Sequence, residues 1–352
     1  MVIFIYDMPH NNPRIQFILK ERNVYSSPNK SYGLLNSCLF IVNKLRKYGI
    51  DAEAVQVKDN NSIDKEVTRF KPTHCFVEAL WVVAEKFEEL AKLHPNIHWI
   101  VRLHSEIPFL ASEGIAIEWI EKYNLLAAKG IDIAISTNSN DCYKDLSVII
   151  DNVLYHPNIY YPLIPAPERE RHFFTNKFNI GCFGALRPLK NHLEQAFLAM
   201  KFAKRHNKHL YFHINKSEHE EKTRESILRN LEELFKYNPD HTLVCHDWVT
   251  HEEFLNLVAT MDMGMQVSFS ESFNIIVADF VYCGVPIVGS EQIEWLHPLY
   301  KADSAYSHDI LDKMSTAYYG DFFRLQNINK KRLDAYNKIA TETWLDWLKK
   351  ES

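Results

Sequence analysis

The chain has 352 residues, more than one compact hydrophobic core usually holds, and this length suits two domains. A hydrophobic content of 46% with 24% charged residues is typical of a globular protein and excludes a disordered chain. The formal net charge of -5 excludes a global basic field for nucleic acid, so any contact of that kind would need a local patch.

Signals for secretion, membrane insertion and metal binding are missing from the sequence. The first residues, MVIFIYD, lack the positive region and the cleavage site of a signal peptide, and no apolar run approaches the roughly 20 residues of a spanning helix. We therefore expect a cytoplasmic protein without a membrane span. The six cysteines are far apart and indicate reduced thiols, and the 17 histidines show no HExxH or paired-ligand spacing, so we expect no metal.

In the first half, short apolar runs alternate with amphipathic stretches, which predicts a parallel sheet covered by helices on both faces. Strands are predicted at 2–6, 52–57, 74–80, 97–103, 131–137 and 153–161. Helices are predicted at 32–48, 62–70, 82–93 and 116–128. Together these elements predict one doubly wound α/β domain.

The segment at 161–175 carries three prolines and a dense charge cluster without periodicity, which is typical of a linker. After it, strands are predicted at 178–183, 210–214, 242–245, 263–269 and 285–288, with helices at 189–205, 219–237, 251–261 and 274–282. A last helix at 330–350 carries Trp344 and Trp347 on an apolar stripe and needs a surface to cover. We expect domains at 1–165 and 176–325, followed by a terminal helix at 326–352.

The stretch at 261–289 is mostly apolar, yet beyond Asp262 at its start it contains two acids, Glu271 and Asp279. A carboxylate is costly to bury without a partner. If the interval between them were helical, its eight residues would rise about 12 Å, comparable to the reach from the sugar to the ribose of a sugar nucleotide. Four residues would form the helix N-terminus: Ser272, Phe273, Asn274 and Ile275. Free N–H groups there suit a diphosphate. An ordinary buried helix with a capping Glu and a salt-bridged Asp is the alternative.

This stretch resembles the retaining GT-B glycosyltransferases of the glycogen-synthase and sucrose-synthase type. Their signature is E-x7-E followed by a helix that ends in C-G-x-P-(I/V)-V; here Glu271 and Asp279 precede CGVPIV at 283–288. The second acid is Asp, one methylene shorter than the Glu of the family. The resemblance implies an α/β GT-B fold, with two facing doubly wound domains, a central cleft and a last helix that packs back on the first domain. It also implies that Glu271 holds the donor sugar and Asp279 the ribose.

The predicted strand at 178–183 leads into Gly184, and Arg187 and Lys190 follow where the next helix is predicted to begin. Two cations at the positive end of a helix dipole are unfavourable unless an anion lies between them. In the resembling family this is the G-x5-K element; Lys190 has the matching spacing, while Ala185 stands where the family usually has Arg. We expect Lys190 and Arg187 to neutralise a diphosphate leaving group. Two solvated surface cations are the alternative.

Further site residues come from the same resemblance. The family often places a histidine beside the donor sugar at the end of the strand at 97–103, which implies a role for His104 at the reaction centre; a structural histidine is the alternative. The family reads the nucleotide base with a turn that corresponds to Trp248 and Val249.

The loop after the first predicted strand faces the acceptor in GT-B enzymes, which implies acceptor-side roles for Asp7, His10 and Asn11. If the enzyme were inverting, Asp7 or His10 would be the natural general base.

The resemblance thus implies a retaining glycosyltransferase that needs no cofactor and uses a nucleotide-diphosphate sugar, for example a UDP-sugar. The variant GALRPLKN at 184–191 looks like glycosyltransferases of bacteria and phages, some of which glycosylate hydroxymethylated DNA bases; such an enzyme would act in the host cytoplasm. Cations at 201–208 and 330–332 are the candidate DNA patch. A glycan or small-molecule acceptor, a non-catalytic nucleotide-sugar-binding protein and a GT-B epimerase are the alternatives.

Overall fold

The computed structural model describes residues 13–21, 33–112, 114–169, 171, 175–216 and 222–351. The chain divides into two compact units. Unit 1 contains Leu34–Tyr161, the described residues before 22 and those from Asn337 on, and unit 2 is built on Pro162–Tyr336. Within the described ranges, no helix is both long and apolar enough to cross a membrane.

Unit 1 is a parallel sheet flanked by helices. Its strands are β1 (Arg14–Lys20), β2 (Asp51–Val57), β3 (His74–Glu78), β4 (His98–Leu103), β5 (Ile133–Thr137) and β6 (Val153–Tyr155). Its helices are α1 (Gly33–Lys47), α2 (Ile63–Phe70), α3 (Ala84–Leu93), α4 (Ile107–Leu110), α5 (Ala116–Ala128) and α6 (Asn140–Leu146). The order β2-β1-β3-β4-β5-β6, with every pair parallel, puts all carboxyl ends at one edge of the sheet.

Strand β1 is absent from the sequence prediction, and the predicted strand at 2–6 lies outside the described residues. β1 is buried over most of its length, between β2 and β3, but the polar Gln16 interrupts its apolar run. The Gln16 amide nitrogen donates to Glu53 Oε1 at 2.8 Å and to the Glu66 carbonyl at 3.1 Å, which offsets the cost of burying the amide. The predicted strand at 153–161 is also shorter, since β6 ends at Tyr155, two residues before Pro157.

The C-terminal part of the last helix, α12 (Asn327–Glu351), completes the unit 1 core, because its residues from Asn337 on belong to that unit. Trp344 is fully buried, lies 5.2 Å from Phe76 and 5.9 Å from Phe17 between ring centroids, and donates its indole N–H to the Pro157 carbonyl at 2.8 Å. Asn337 donates to the Tyr160 carbonyl at 3.0 Å and accepts from its N–H at 2.8 Å. Trp344, on the apolar stripe of this helix, therefore packs in the core of unit 1.

Unit 2 is a second parallel sheet flanked by helices. Its strands are β7 (Lys177–Gly181), β8 (His209–Asn215), β9 (Thr242–His246), β10 (Met263–Gln266), β11 (Ile287–Ser290) and β12 (Lys301–Ala302). Its helices, besides the start of α12, are α7 (His192–Arg205), α8 (Lys222–Lys236), α9 (His251–Ala259), α10 (Ile275–Tyr282) and α11 (Ser307–Phe322). The strand order is β12-β11-β10-β7-β8-β9, again all parallel. β12 and α11 are absent from the sequence prediction.

Buried histidines make both units sensitive to acid. Burial lowers the pKa of His74 to about 4, the pKa values of His192 and His213 to about 3, and the pKa of His156 well below its ordinary value. Below a pH of about 6.5, the unfolded chain therefore binds more protons than the folded chain, and folding stability falls as the pH falls. Each such imidazole removes about 1.4 kcal/mol per pH unit once its unfolded form is protonated.

The histidine whose effect is most easily isolated is His192, since both of its buried ring nitrogens have no hydrogen-bond partner among the described residues. We expect His192→Leu to flatten the loss of stability between pH values of about 6 and 4. His308→Gln, at an exposed histidine of the same unit, should leave the pH dependence of the urea midpoint unchanged. If His192→Leu lost stability with falling pH as steeply as the wild type, the assignment of a neutral buried imidazole would be contradicted.

Candidate functional site

The carboxyl edge of the unit 2 sheet holds an ion pair between two residues that are far apart in the sequence. Lys190 Nζ lies 2.6 Å from Glu271 Oε1, and Ser268 Oγ donates to the same oxygen at 2.6 Å. The Glu271 side chain is 5% exposed and that of Lys190 is 26% exposed. A carboxylate this deeply buried needs such partners, and the two contacts hold Glu271 in a fixed position.

Lys190 reaches Glu271 because the chain makes a separate turn before α7. A helix was predicted from 189, but Pro188–Lys190 form a short 3-10 turn, Asn191 takes a left-handed conformation with φ 55°, and α7 begins only at His192. The Leu189 carbonyl accepts from the Phe269 N–H at 2.8 Å, which fastens this turn to the segment that carries Glu271. Pro188 favours the turn, since its ring fixes φ at a helical value.

α10 begins one residue after the predicted start at 274, but the helix does not extend back to Glu271. Glu271, Ser272 and Phe273 precede the helix, and Asn274 caps it by accepting from the Val277 N–H at 3.1 Å. The helical part between Ile275 and Asp279 therefore rises only about 6 Å. The prediction of eight helical residues between the two acids was wrong, because Asn274 has a left-handed φ of 52° that no helix continues through.

Gly184 brings the turn after β7 beside the first turn of α10. It has φ 108°, and a Cβ atom at this position would lie 2.9 Å from Ile276 Cδ1, so only glycine fits without a shift. Its N–H donates to Asn215 Oδ1 at 2.8 Å. Arg187, three residues on, is half-buried in an extended conformation. The two predicted cations thus follow a turn that packs on the helix start.

The second acid of the motif has a partner that the sequence analysis missed. Asp279 Oδ1 lies 2.8 Å from His251 Nε2, and the Asp279 side chain is 3% exposed. His251 is the first residue of α9, after a capping box formed by Thr250 and Glu253. Trp248 and Val249, both half-buried, lie in the segment just before it, which this contact ties to α10. A buried acid requires a partner, but no local pattern distinguishes His251 among 17 histidines.

In unit 1, His104 directly follows β4, at the carboxyl edge of the sheet. Its Nε2 makes a close hydrogen bond to Glu78 Oε2, and Arg102 Nη1 donates to the same carboxylate oxygen at 3.1 Å. Glu78 and Arg102 are fully buried. Neither was predicted as a site residue, although each is a charged residue near the carboxyl end of one of two successive predicted strands.

The three acceptor-side residues predicted from the sequence, Asp7, His10 and Asn11, lie outside the described residues. The first described strand is β1, which ends at Lys20, and most of the loop after it also falls outside the described residues. Within the described ranges, no group of three or more His, Cys, Asp or Glu side chains could hold a metal ion.

No protein-family model matches the sequence, and no curated protein matches it either. Solved structures do. The apo structure of OtsA has a TM-score of 0.68 at 10% identity, covering 95% of this chain and 99% of that chain. Sucrose-phosphate synthase from Thermosynechococcus elongatus has a TM-score of 0.64 at 13% identity, covering 96% and 99%. An alpha-glucosyltransferase in complex with UDP and a mismatched 13-mer DNA has a TM-score of 0.61 at 11% identity, covering 96% and 99%.

These similarities show the fold. The α/β class predicted from the sequence is confirmed: the chain folds into two six-stranded parallel sheets flanked by helices, and its structural neighbours are GT-B glycosyltransferases.

Proposed function

We propose that this protein is a retaining glycosyltransferase that moves a sugar from a nucleotide-diphosphate sugar to an acceptor. The observation that carries the proposal is the ion pair of Lys190 with Glu271 at the carboxyl edge of the unit 2 sheet, where ligands of open α/β sheets bind. Neighbours of the same fold support it, among them a structure with UDP and another bound with UDP-2-fluoro glucose.

The residues of the unit 2 edge receive roles in binding the donor. Lys190 and Arg187 hold the diphosphate, together with N–H groups at the start of α10, contributed by Ser272, Phe273, Asn274 and Ile275. Glu271 holds hydroxyl groups of the donor sugar, and Asp279 holds the ribose. Trp248 and Val249 lie beside the base. In unit 1, we assign His104 a role at the reaction centre.

The chemistry that these roles allow needs no protein nucleophile. As the bond from the sugar to the diphosphate breaks, negative charge grows on the phosphate oxygens and positive charge on the sugar. Lys190 and Arg187 stabilise the first and the Glu271 carboxylate the second, and fixed charges in a partly buried site do so without reorganisation. The acceptor oxygen bonds to the sugar carbon on the face from which the diphosphate leaves, and the leaving phosphate takes the proton of the acceptor hydroxyl. Because the new bond forms on that same face, the configuration at the sugar carbon is kept.

A thermal-shift panel of nucleoside diphosphates and their sugars tests the donor site, followed by release of nucleoside diphosphate from excess donor without acceptor. A ligand that binds only the folded state raises the melting temperature, by mass action. We expect one nucleoside diphosphate to stabilise the protein, and we expect the protein to hydrolyse the corresponding nucleotide sugar slowly. Stabilisation without any hydrolysis or transfer would favour the alternative, a non-catalytic nucleotide-sugar-binding protein. If none of the nucleotides stabilised the protein, the proposal would be contradicted.

For the acceptor, we propose a hydroxymethylated base in DNA, with a glycan or a small molecule as the competing candidates. Lys201, Lys204 and Arg205 on α7 are exposed, as are the cations at 330–332, and could contact phosphates. We expect DNA binding that weakens about 10- to 100-fold between roughly 50 and 200 mM salt, and sugar transfer to a duplex with hydroxymethylated bases.

Reversing two of these charges, in Lys204→Glu with Arg205→Glu, should weaken DNA binding and reduce the salt dependence. Lys350→Glu, at an exposed cation of α12, is the matched control. Binding that ignores both salt and these substitutions would leave the glycan or small-molecule acceptors.

A further inference from the structure

The carboxyl edge of the unit 1 sheet contains a buried charged network built around one carboxylate. Glu78, the last residue of β3, pairs in register with Arg102 of β4. Both side chains are fully buried, and Arg102 Nη1 donates to Glu78 Oε2 at 3.1 Å. The same carboxylate oxygen receives His104 Nε2. A buried ion pair of this kind costs desolvation energy and survives only when its geometry is well satisfied.

Arg102 is itself held rigidly, so the position of the Glu78 carboxylate is fixed from two sides. The Arg102 guanidinium donates from Nε at 3.0 Å and from Nη2 at 2.9 Å to the His156 carbonyl. Its Nη2 also donates to Asn158 Oδ1 at 2.6 Å. The strand register fixes the backbone of Glu78, and the anchored guanidinium fixes its head group. The His104 ring therefore meets a carboxylate that cannot turn away.

The charges within the network are consistent with one anion, one cation and a neutral imidazole. Burial by itself raises the pKa of Glu78, but its interactions with Arg102 and His104, hydrogen bonds included, outweigh burial and lower the pKa, so Glu78 is ionised. Burial also lowers the pKa of His104, and the Arg102 charge adds to this effect while Glu78 opposes it.

A neutral imidazole carries one proton, and the contacts decide which nitrogen bears it. His104 Nε2 is closer to the Glu78 carboxylate than to Arg102 Nη1, which is 3.3 Å away. A bare nitrogen facing a carboxylate oxygen would be repelled, so Nε2 carries the hydrogen and donates it to Glu78. Nδ1 then has a lone pair, and the side-chain amide nitrogen of Asn138, Nδ2, lies 3.4 Å from it.

We propose that Glu78 is a positioning residue that holds His104 in the Nε2–H form, so that His104 acts through Nδ1 as a hydrogen-bond acceptor for a sugar hydroxyl. In this role His104 cannot donate a proton from Nδ1. Asn138 is the donor that the hydroxyl replaces. The inference rests on the proposed function for the identity of the ligand, while the protonated nitrogen is a property of the protein alone. The hydrogen bond on one ring nitrogen sets the tautomer that the other presents.

The test uses the full chain labelled with ¹⁵N at histidine, with the His104 signals assigned from His104→Gln. In the wild type we expect the chemical shift of a protonated Nε2 and an unprotonated Nδ1. In Glu78→Gln, the amide of the new side chain can donate to Nε2, so the tautomer should shift toward Nδ1–H. In the same variant, kcat for donor turnover should fall about 10- to 100-fold with little change in KM for the donor.

Two further variants serve as controls for the charge and the position of Glu78. Glu78→Asp retains the charge and should retain the wild-type tautomer, with part of the activity. Asp64→Asn removes another carboxylate that pairs with a histidine of unit 1, His94, at 2.7 Å, and should change neither the His104 signals nor kcat.

A wild-type spectrum with hydrogen on Nδ1 would overturn the inference, whether or not Glu78→Gln folds. So would a Glu78→Gln protein with unchanged tautomer and unchanged kcat. If the wild type turns over no donor, the proposed function fails, and the spectrum still decides the role of Glu78.

Discussion

Lys190→Ala is expected to abolish the stabilisation by nucleoside diphosphate and to lower donor turnover about 100- to 1,000-fold, since it removes a fixed cation from the growing phosphate charge. The substitution also leaves Glu271, 5% exposed, without its cation. The ligand-free melting temperature should therefore fall as well. For this reason the quantity to compare is the shift caused by ligand, measured for each variant against its own ligand-free state.

Two controls separate loss of binding from loss of stability. Lys177→Ala removes an exposed cation of the same unit and should keep the full ligand shift and turnover. The double variant Lys190→Ala with Glu271→Gln removes the uncompensated charge, so it should recover stability but not the ligand shift. If Lys190→Ala binds nucleotide as tightly as the wild type, Lys190 does not contact the diphosphate, and the main support for the donor site is lost.

Trp344→Ala is expected to cost about 3–5 kcal/mol of the unfolding free energy of unit 1, the usual range for a fully buried aromatic side chain. Trp344 has no exposed surface, packs on Phe17, Phe76 and His156, and donates to the Pro157 carbonyl. Its removal creates a cavity and also leaves that carbonyl without its donor. Urea unfolding followed by far-UV circular dichroism measures the change.

The control for this prediction lies on the same helix. Ile339 is 63% exposed, so Ile339→Ala should change stability by no more than about 0.5 kcal/mol. Trp344 belongs to unit 1. The urea midpoint of unit 2, followed by the loss of nucleotide binding, should therefore shift less than the midpoint of unit 1. A cost below about 1 kcal/mol would mean that the end of α12 is not needed for the unit 1 core.

Most helices and strands could be predicted from the sequence, because their buried faces repeat with a clear period. β1 could not, because Gln16 interrupts its apolar run and finds its partners on β2 and α2, which are distant in the sequence. The start of α7 was misplaced for a local reason, since Pro188 allows both a helix start and the 3-10 turn that the chain makes. Periodicity does not distinguish these two outcomes.

Some residues of the candidate site could be predicted from the sequence and others could not. Lys190 and Glu271 were recognised separately from local motifs, but their ion pair joins residues 81 positions apart and follows only from the sheet order. Glu78 carried a usable signal, because β3 and β4 were predicted as successive strands and each has a charged residue near its carboxyl end. His251 carried none, since its pairing with Asp279 depends on how α9 packs beside α10.

The placement of Trp344 has a consequence for the order in which the nascent chain can fold. The six strands of unit 1 leave the ribosome before the stretch from Pro162 to Tyr336, yet their core lacks this indole until residue 344 has emerged. The residues of unit 2 end at Tyr336, eight positions before Trp344. During vectorial synthesis the core of unit 1, although its strands are made first, is therefore completed only after the chain of unit 2 has been made.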